Sequence, residues 1–173
     1  MSLWLVSFLL VAEVLSVIAE VLAGPKALLI PPHATYIRLQ GGILLPDPTY
    51  TPGATRTVSF EELCRKGSAR EARLDDPVTR AMADAIYARY GQHRIPGRCC
   101  ESDHLIPLWL GGATVLENLW PQPWDQARKK DRVEYWLHEQ VCAQGKDALA
   151  PAQHRISHNW WALYQEMPDD RKD

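Results

Sequence analysis

The 173-residue sequence lacks an excess of charge of either sign. Lys and Arg total 19 against 21 Asp and Glu, a formal net charge of −2. This balance excludes proteins that hold nucleic acid through bulk positive charge. Internal repeats and low-complexity tracts are absent too, and the 23% of charged residues argues against wholesale disorder. What is present is a hydrophobic fraction of 46%, which suits one soluble globular domain with its own core.

The N-terminal segment lacks basic residues, because no Lys or Arg precedes Lys26. Residues 3–23 are otherwise one apolar run that, as a helix, would span roughly 30 Å, the thickness of a bilayer core. Val21 and Ala23 stand at −3 and −1 of a site similar to a signal-peptidase site. We expect residues 1–23 to be a signal peptide or a membrane anchor. A mistaken upstream start or an amphipathic surface segment stays open, because four polar residues interrupt the run: Ser7, Glu13, Ser16 and Glu20.

Prolines break any regular element in the next segment. We therefore predict a proline-rich linker over residues 24–57, a domain over residues 58–166 and a polar tail over residues 167–173. The prolines concerned are Pro25, Pro31, Pro32, Pro46, Pro48 and Pro52.

Within the domain, apolar spacing and capping residues predict three helices around one extended region. The first helix should begin at Asp75-Asp76-Pro77, where an acidic N-cap precedes proline, and end at Gly91. Residues 98–110 suggest two short strands, or one strand and an irregular turn. Amphipathic helices are expected over about residues 124–143 and 151–166.

The chemically informative residues are Asp103, His104 and Asn118, with the Gly111-Gly112 pair between them. Side chains alternate along a strand, so Asp103 and His104 serve one site only if the chain turns there. Carboxylate and amide oxygens are ligands for a hard divalent cation. An imidazole takes a proton from water near neutral pH. Together these residue types predict hydrolysis.

This pattern resembles the HNH endonuclease motif. The resemblance rests on the run Asp103 to Leu108, the diglycine and Asn118-Leu119, and Glu101 stands where the colicin-type version carries Glu. The resemblance extends over roughly residues 45–164, and over this range the sequence is similar to a group of small exported bacterial HNH-type proteins. Further shared segments include Leu45-Pro46-Asp47-Pro48, Glu62-Leu63-Cys64, Leu119-Trp120-Pro121-Gln122-Pro123, Lys130-Asp131 and Val141-Cys142.

The resemblance implies an α+β fold, with a small ββα-metal core and flanking helices, mostly helical outside a short β-hairpin. It also implies a metal-dependent endonuclease that hydrolyses phosphodiester bonds in DNA. One divalent metal, most suitably Mg²⁺, would bind Asp103 and Asn118, and His104 would activate the attacking water. Glu101, on the same strand face as Asp103, would support the catalytic site.

The same comparison assigns the substrate's phosphates to Lys130. Beside such a site Arg128 and Arg98, otherwise ordinary solvated surface charges, would be further phosphate contacts. The comparison also exposes a departure, because Ala127 stands at the family's third ligand position and cannot bind metal. Asp125, Gln122 or water would then complete the shell. This departure favours an alternative, a catalytically degenerate nucleic-acid-binding module or an envelope protein with a structural role.

The sequence has four cysteines, an even number that fits disulfides in an exported chain. The resemblance makes Cys64 and Cys142 the first pair and implies a periplasmic, secreted or membrane-anchored location. A bond between Cys99 and Cys100 is not expected, because neighbours on a strand point apart. The paired cysteine motifs of zinc-stabilised HNH domains are absent, so structural zinc is not predicted.

Overall fold

The computed structural model describes residues 33–172, so the predicted leader lies outside the described residues. These residues adopt an α+β fold, as predicted, with two antiparallel pairs of strands in place of the single short β-hairpin expected. The elements in chain order are β1 (Ile37–Arg38), β2 (Leu44–Leu45), α1 (Phe60–Leu63), α2 (Ser68–Asp75), α3 (Arg80–Arg89), β3 (Cys100–His104), β4 (Leu119–Pro123), α4 (Trp124–Gln144) and α5 (Leu149–Glu166).

Strands β3 and β4 pair antiparallel, and β4 leads directly into α4. The register places Glu101 opposite Gln122, and Asp103 opposite Trp120. Side chains of directly opposed residues share a sheet face, so these four lie on one face, with Glu101 and Asp103 together as predicted. Of the two alternatives for residues 98–110, the strand followed by an irregular turn is confirmed, because a 3₁₀ turn follows at Leu108–Leu110.

The two C-terminal helices lie close to their predicted bounds, because their apolar residues keep helical spacing over many turns. The predicted start of the first helix is wrong. Asp75 is the last residue of α2, and α3 begins after Thr79, whose hydroxyl accepts a hydrogen bond from Met82 N. A threonine cap therefore replaces the acidic cap that the Asp-Asp-Pro sequence favoured.

The linker prediction fails for residues 33–57, which fold onto the domain. Strand β2 and the residue before it contribute buried side chains to two core clusters, Ile43 and Leu45 to one and Leu44 to another. Leu44 N also donates a hydrogen bond to the amide oxygen of Gln126, inside α4. Burial of these three consecutive apolar residues helps to fix the segment in the core.

The largest core cluster joins β2, α4 and α5 through mostly aliphatic side chains and Trp160. Its last member is Met167, 2% exposed, so the predicted polar tail begins with a buried residue. Arg171 then pairs with Glu139 of α4 at 2.8 Å. Residues 167–172 are therefore packed against the domain over part of their length.

Both pairs of cysteines form disulfides. The predicted bond between Cys64 and Cys142 is confirmed and ties the end of α1 to α4. The second bond joins Cys99 to Cys100, contrary to expectation. The bond forms where β3 begins. Cys99, the residue just before the strand, has a positive φ of 41°, so it is not in the extended conformation on which the expectation relied. Disulfides of this kind are compatible with an oxidising, exported location.

In the part of the chain that the structure covers, none of the helices combines the length and the apolar character that a membrane span requires.

Candidate active site

A cleft of about 460 Å³ lies beside β3. Glu101, Ser102, Asp103 and His104, four consecutive residues of this strand, all line the cleft. Among the described residues β3 pairs only with β4, so its other edge is free and side chains from both strand faces reach the same space. Asp103 and His104 therefore meet in one site without the turn that the sequence seemed to require.

His104 is held by a short chain of hydrogen bonds. Its Nε2 lies 3.1 Å from the Thr114 hydroxyl oxygen, and that hydroxyl donates to the carbonyl oxygen of Asp76 at 3.0 Å. Because the hydroxyl proton is directed at Asp76, the Thr114 oxygen accepts and His104 Nε2 donates. This tautomer leaves Nδ1 without a proton. Burial lowers the pKa of His104 to about 4, although the Asp103 carboxylate opposes the shift, so the ring is neutral near pH 7.

Lys130 is buried and does not line the cleft, so its predicted contact with substrate phosphates is wrong. The side chain is 0% exposed, and its Nζ makes ion pairs with Asp103 Oδ2 at 2.8 Å and Glu134 Oε1 at 2.5 Å. Nζ also donates to the backbone oxygen of His104 at 2.6 Å. Burial alone would lower the pKa of Lys130, but the two carboxylates outweigh it and raise that pKa above its ordinary value. The Lys130 ammonium therefore stabilises β3 from the buried side of the strand.

The cleft is rich in carboxylates, with Asp76, Glu101, Asp103, Asp131 and Glu134 along its walls. Burial raises the pKa of Glu101 to about 7, and the charges of Asp103 and Asp131 add to the shift. Burial also raises the pKa values of Asp131 and Glu134, with Asp103 contributing to both. Such crowding of like charges favours a cation in the cleft.

Asn118 lies away from the cleft, and its predicted role as a metal ligand is corrected. The residue is 0% exposed. Its amide oxygen accepts from Ile106 N at 2.9 Å and from Ala54 N at 3.3 Å. Its amide nitrogen donates to the carbonyl oxygens of Ile106 and Ala113, both at 2.9 Å. All the hydrogen-bonding capacity of this amide is used to hold three backbone segments together.

The diglycine pair fits around this amide. A Cβ on Gly112 would lie 1.8 Å from the carbonyl oxygen of Ile106 and 3.0 Å from Asn118 Nδ2. Gly111 has a φ of +74°, in the left-handed region. The spacing of Gly111, Gly112 and Asn118 therefore fits the loop that the Asn118 amide holds together.

The other predicted phosphate contacts, Arg128 and Arg98, are exposed but do not line the cleft. The exposed cation that does line it is Arg73, from α2. Nothing in the sequence singled out Arg73, because it stands thirty positions before Asp103 in a run of ordinary surface charges. Asp76 and Asp131 are likewise charged residues far from Asp103 in sequence, whereas Thr114 lies two residues after Gly112, where its residue type gives no sign of a role.

The cleft suits a hard divalent cation by charge and donor type, but through a different ligand set from the predicted one. The ion pair with Lys130 takes only Oδ2 of Asp103, so its second oxygen stays able to bind a cation. Glu101 and Asp131 supply further oxygen donors. The suggested substitutes, Gln122 and Asp125, do not line the cleft. No three of these carboxylates bring ligand atoms within 4.8 Å of one another among residues 33–172, so we expect two protein ligands at most, with water completing the shell.

Within residues 33–172, the one group of three His, Cys, Asp or Glu side chains with ligand atoms within 4.8 Å of one another is Cys64, His138 and Cys142. Its two sulfur atoms form the disulfide and offer no thiolate. His138 Nε2 lies 3.1 Å from the carbonyl oxygen of Leu63, which can only accept, so this nitrogen carries a proton. In this oxidised form the group is not a metal site.

No protein-family model, no curated protein and no solved structure matches the chain. The resemblance to HNH endonucleases therefore stays a prediction.

Proposed function

We propose that this chain is an exported, metal-dependent endonuclease of the HNH type that hydrolyses phosphodiester bonds in DNA. The observation that carries the proposal is the hydrogen-bonded chain from His104 through Thr114 to the Asp76 carbonyl. It holds an imidazole in a carboxylate-rich cleft with Nδ1 as proton acceptor. Such a group is suited to act as general base on water.

In this mechanism His104 Nδ1 takes a proton from water as the water oxygen attacks phosphorus. The bond from phosphorus to the leaving oxygen breaks, and that oxygen takes a proton from solvent. Arg73, exposed at the cleft, contacts the phosphate oxygens. Lys130 acts indirectly, since its contacts with Asp103 and with the backbone of His104 position both residues.

A divalent cation, most suitably Mg²⁺, would be held by Asp103 with Glu101 or Asp131. When bound, it supplies a positive charge that polarises the phosphate and stabilises the leaving oxygen. Without such a cation, the carboxylates of the cleft would still give it a net negative charge, despite the pairing of Asp103 and Glu134 with Lys130, and this charge would repel a phosphodiester. The proposal therefore includes dependence on metal.

Export is part of the same proposal. The apolar residues 3–23 precede a site similar to a signal-peptidase site, and the two disulfides favour an oxidising compartment. A mature chain that begins at Gly24, seen by mass spectrometry, would support cleavage. An intact N-terminus in purified membranes would support the anchor instead.

The deciding experiment is nicking of supercoiled plasmid with Mg²⁺ or Mn²⁺, with EDTA as the metal-free condition. His104→Ala should lower the rate roughly 10²- to 10⁴-fold, the usual contribution of a general base. His93→Ala is the matched control, because His93 is exposed and does not line the cleft. Absence of metal-dependent nicking, or equal nicking by His104→Ala, would overturn the proposal.

One observation favours the second candidate, a non-catalytic nucleic-acid-binding module of the same fold. Ala127, at the family's third ligand position, is 2% exposed on the buried side of α4 and has no metal-binding atom. Lys130 already pairs with one oxygen of Asp103. Binding of DNA that is unchanged by EDTA, together with no nicking under any metal, would support this candidate.

A further inference from the structure

A second depression, of about 260 Å³, adjoins the cleft along α4. Asp131 lines both spaces, so they meet at this residue. The remaining lining residues of the depression are Arg132, Tyr135, Trp136 and Arg171. The surface therefore continues from the cleft onto the outer face of the helix.

Aromatic rings mark this continuation. Tyr135 is 50% exposed, unusual for so large an aromatic side chain. Its ring meets the ring of Trp109 edge to face, with centroids 6.3 Å apart and an interplanar angle of 87°. Trp109 lines the cleft and also contacts His138, with centroids 5.2 Å apart. Tyr135 is thus an exposed ring held by a partner that borders the cleft.

Two guanidinium groups without an acidic partner lie on the helix face of Tyr135, one of them in the depression that Asp131 also lines. Arg132 precedes Tyr135 by three residues and Arg128 precedes Arg132 by four, so the three side chains share one helix face. Both arginines are exposed, and no ion pair involves either of them among residues 33–172. Arg171, in contrast, is paired with Glu139 at 2.8 Å. A guanidinium without an acidic partner, next to an exposed ring, suits one phosphate and one base.

We propose that the α4 face formed by Arg128, Arg132 and Tyr135 binds an unpaired stretch of the DNA strand whose scissile phosphate lies in the cleft. Tyr135 stacks on a base, and Arg132 contacts the adjoining phosphate. The inference rests on the proposed function and adds a substrate class to it. Inside a duplex both faces of a base are covered by neighbouring bases, so stacking on Tyr135 requires an unpaired base. Single-stranded DNA, or duplex DNA with unpaired nucleotides, is then the preferred substrate.

The test measures binding separately from cleavage. Fluorescence anisotropy of a labelled oligothymidylate of about 15 nucleotides, a length suited to such a surface, is recorded in Mg²⁺ with the full chain carrying His104→Ala, which suppresses cleavage. Adding Tyr135→Ala should raise Kd roughly 5- to 100-fold, the range for loss of one base stack. Tyr135→Phe should restore the binding, because the ring face is kept. Arg132→Gln should lower the slope of log K against log salt by about 0.7.

Two controls make the test specific. Ile95→Ala removes an exposed apolar side chain of similar accessibility that lies outside α4, lines neither space and should leave Kd unchanged. A blunt duplex of the same length should bind equally well with and without Tyr135. Far-ultraviolet circular dichroism and thermal unfolding confirm that each variant is folded.

The inference is overturned if Tyr135→Ala leaves Kd for the oligothymidylate unchanged, if Ile95→Ala weakens binding equally, or if the duplex loses as much affinity. Failure of the His104→Ala chain to bind the oligothymidylate overturns it as well. None of these outcomes affects plasmid nicking by the unaltered chain. Failure of the inference and failure of the proposed function are therefore observed in different experiments.

Discussion

The ammonium of Lys130 lies 2.8 Å from the carboxylate of Asp103, and no part of Lys130 is exposed. The same ammonium pairs with Glu134, one helical turn further along α4. One buried cation thus joins the edge strand of the cleft to the long helix. Lys130 therefore stabilises the site from its buried side.

Replacing Lys130 by Met should lower the free energy of unfolding by about 3–5 kcal/mol, because Asp103 and Glu134 would lose their buried partner. Urea denaturation followed by tryptophan fluorescence measures the change. Arg128→Gln, on the exposed side of the same helix, should change stability by less than about 0.5 kcal/mol. A loss below about 1 kcal/mol for Lys130→Met would show that the ion pairs are not needed for stability.

Asn118→Asp separates a structural from a metal-binding role for Asn118. As a metal ligand, a carboxylate at this position would bind Mn²⁺ at least as well as the amide does. If Asn118 instead holds the loop, the introduced carboxylate would leave the carbonyl oxygens of Ile106 and Ala113 without a donor. This loss should lower the free energy of unfolding by about 1–3 kcal/mol. We expect the stability loss without a gain in Mn²⁺ affinity, measured by urea denaturation and calorimetry. Tighter Mn²⁺ binding with unchanged stability would restore the ligand assignment.

Thr114→Val keeps the shape of the side chain and removes the oxygen that accepts from His104 Nε2. We expect kcat for plasmid nicking to fall, by at most the roughly 10²- to 10⁴-fold contribution of a general base, while KM stays nearly constant. Thr114→Ser should recover the activity. Nitrogen NMR of the labelled ring should show protonation at Nε2 in the unaltered chain and a tautomer mixture in Thr114→Val. An unchanged tautomer, or a loss confined to KM, would contradict the positioning role.

Gly112→Ala should destabilise the domain strongly, because its Cβ would lie 1.8 Å from the carbonyl oxygen of Ile106. Gly97→Ala is the control for backbone strain without a clash, since Gly97, unlike Gly112, has a positive φ, +76°, but has open space around it. We expect about 1 kcal/mol from Gly97→Ala and a several-fold larger loss from Gly112→Ala. Equal thermal shifts for the two variants would show that the loop can move aside.

Much of the fold was predictable wherever one local signal governs the structure. The long helix keeps an apolar face over many turns, so its bounds, Trp124–Gln144, were close to the prediction. The diglycine and the run of polar residues before it marked the right stretch of chain for the cleft. The buried segment around Ile43 was misjudged because prolines on both sides outweighed three apolar residues. Whether such a short run packs is decided by the helices it meets.

The partners of the site residues were harder to predict, because they are distant in sequence. Lys130 reads as a surface charge among Arg128, Lys129 and Arg132, and only the fold brings it to Asp103. Asn118 offers a ligand oxygen in the sequence, but the backbone groups that occupy this oxygen come from positions 54 and 106. Residue type and spacing predicted the location of the cleft, while the division of roles within it depends on tertiary contacts.

The Cys64–Cys142 disulfide has a consequence for the integrity of the cleft. The bond spans 78 positions of the chain, and every residue that lines the cleft, from Arg73 to Glu134, lies between its two cysteines. A protease that cuts once in this interval, at the exposed turn before β3 for example, leaves two pieces joined through sulfur. The cleft is enclosed in a covalent ring, so one cut does not let its two walls diffuse apart.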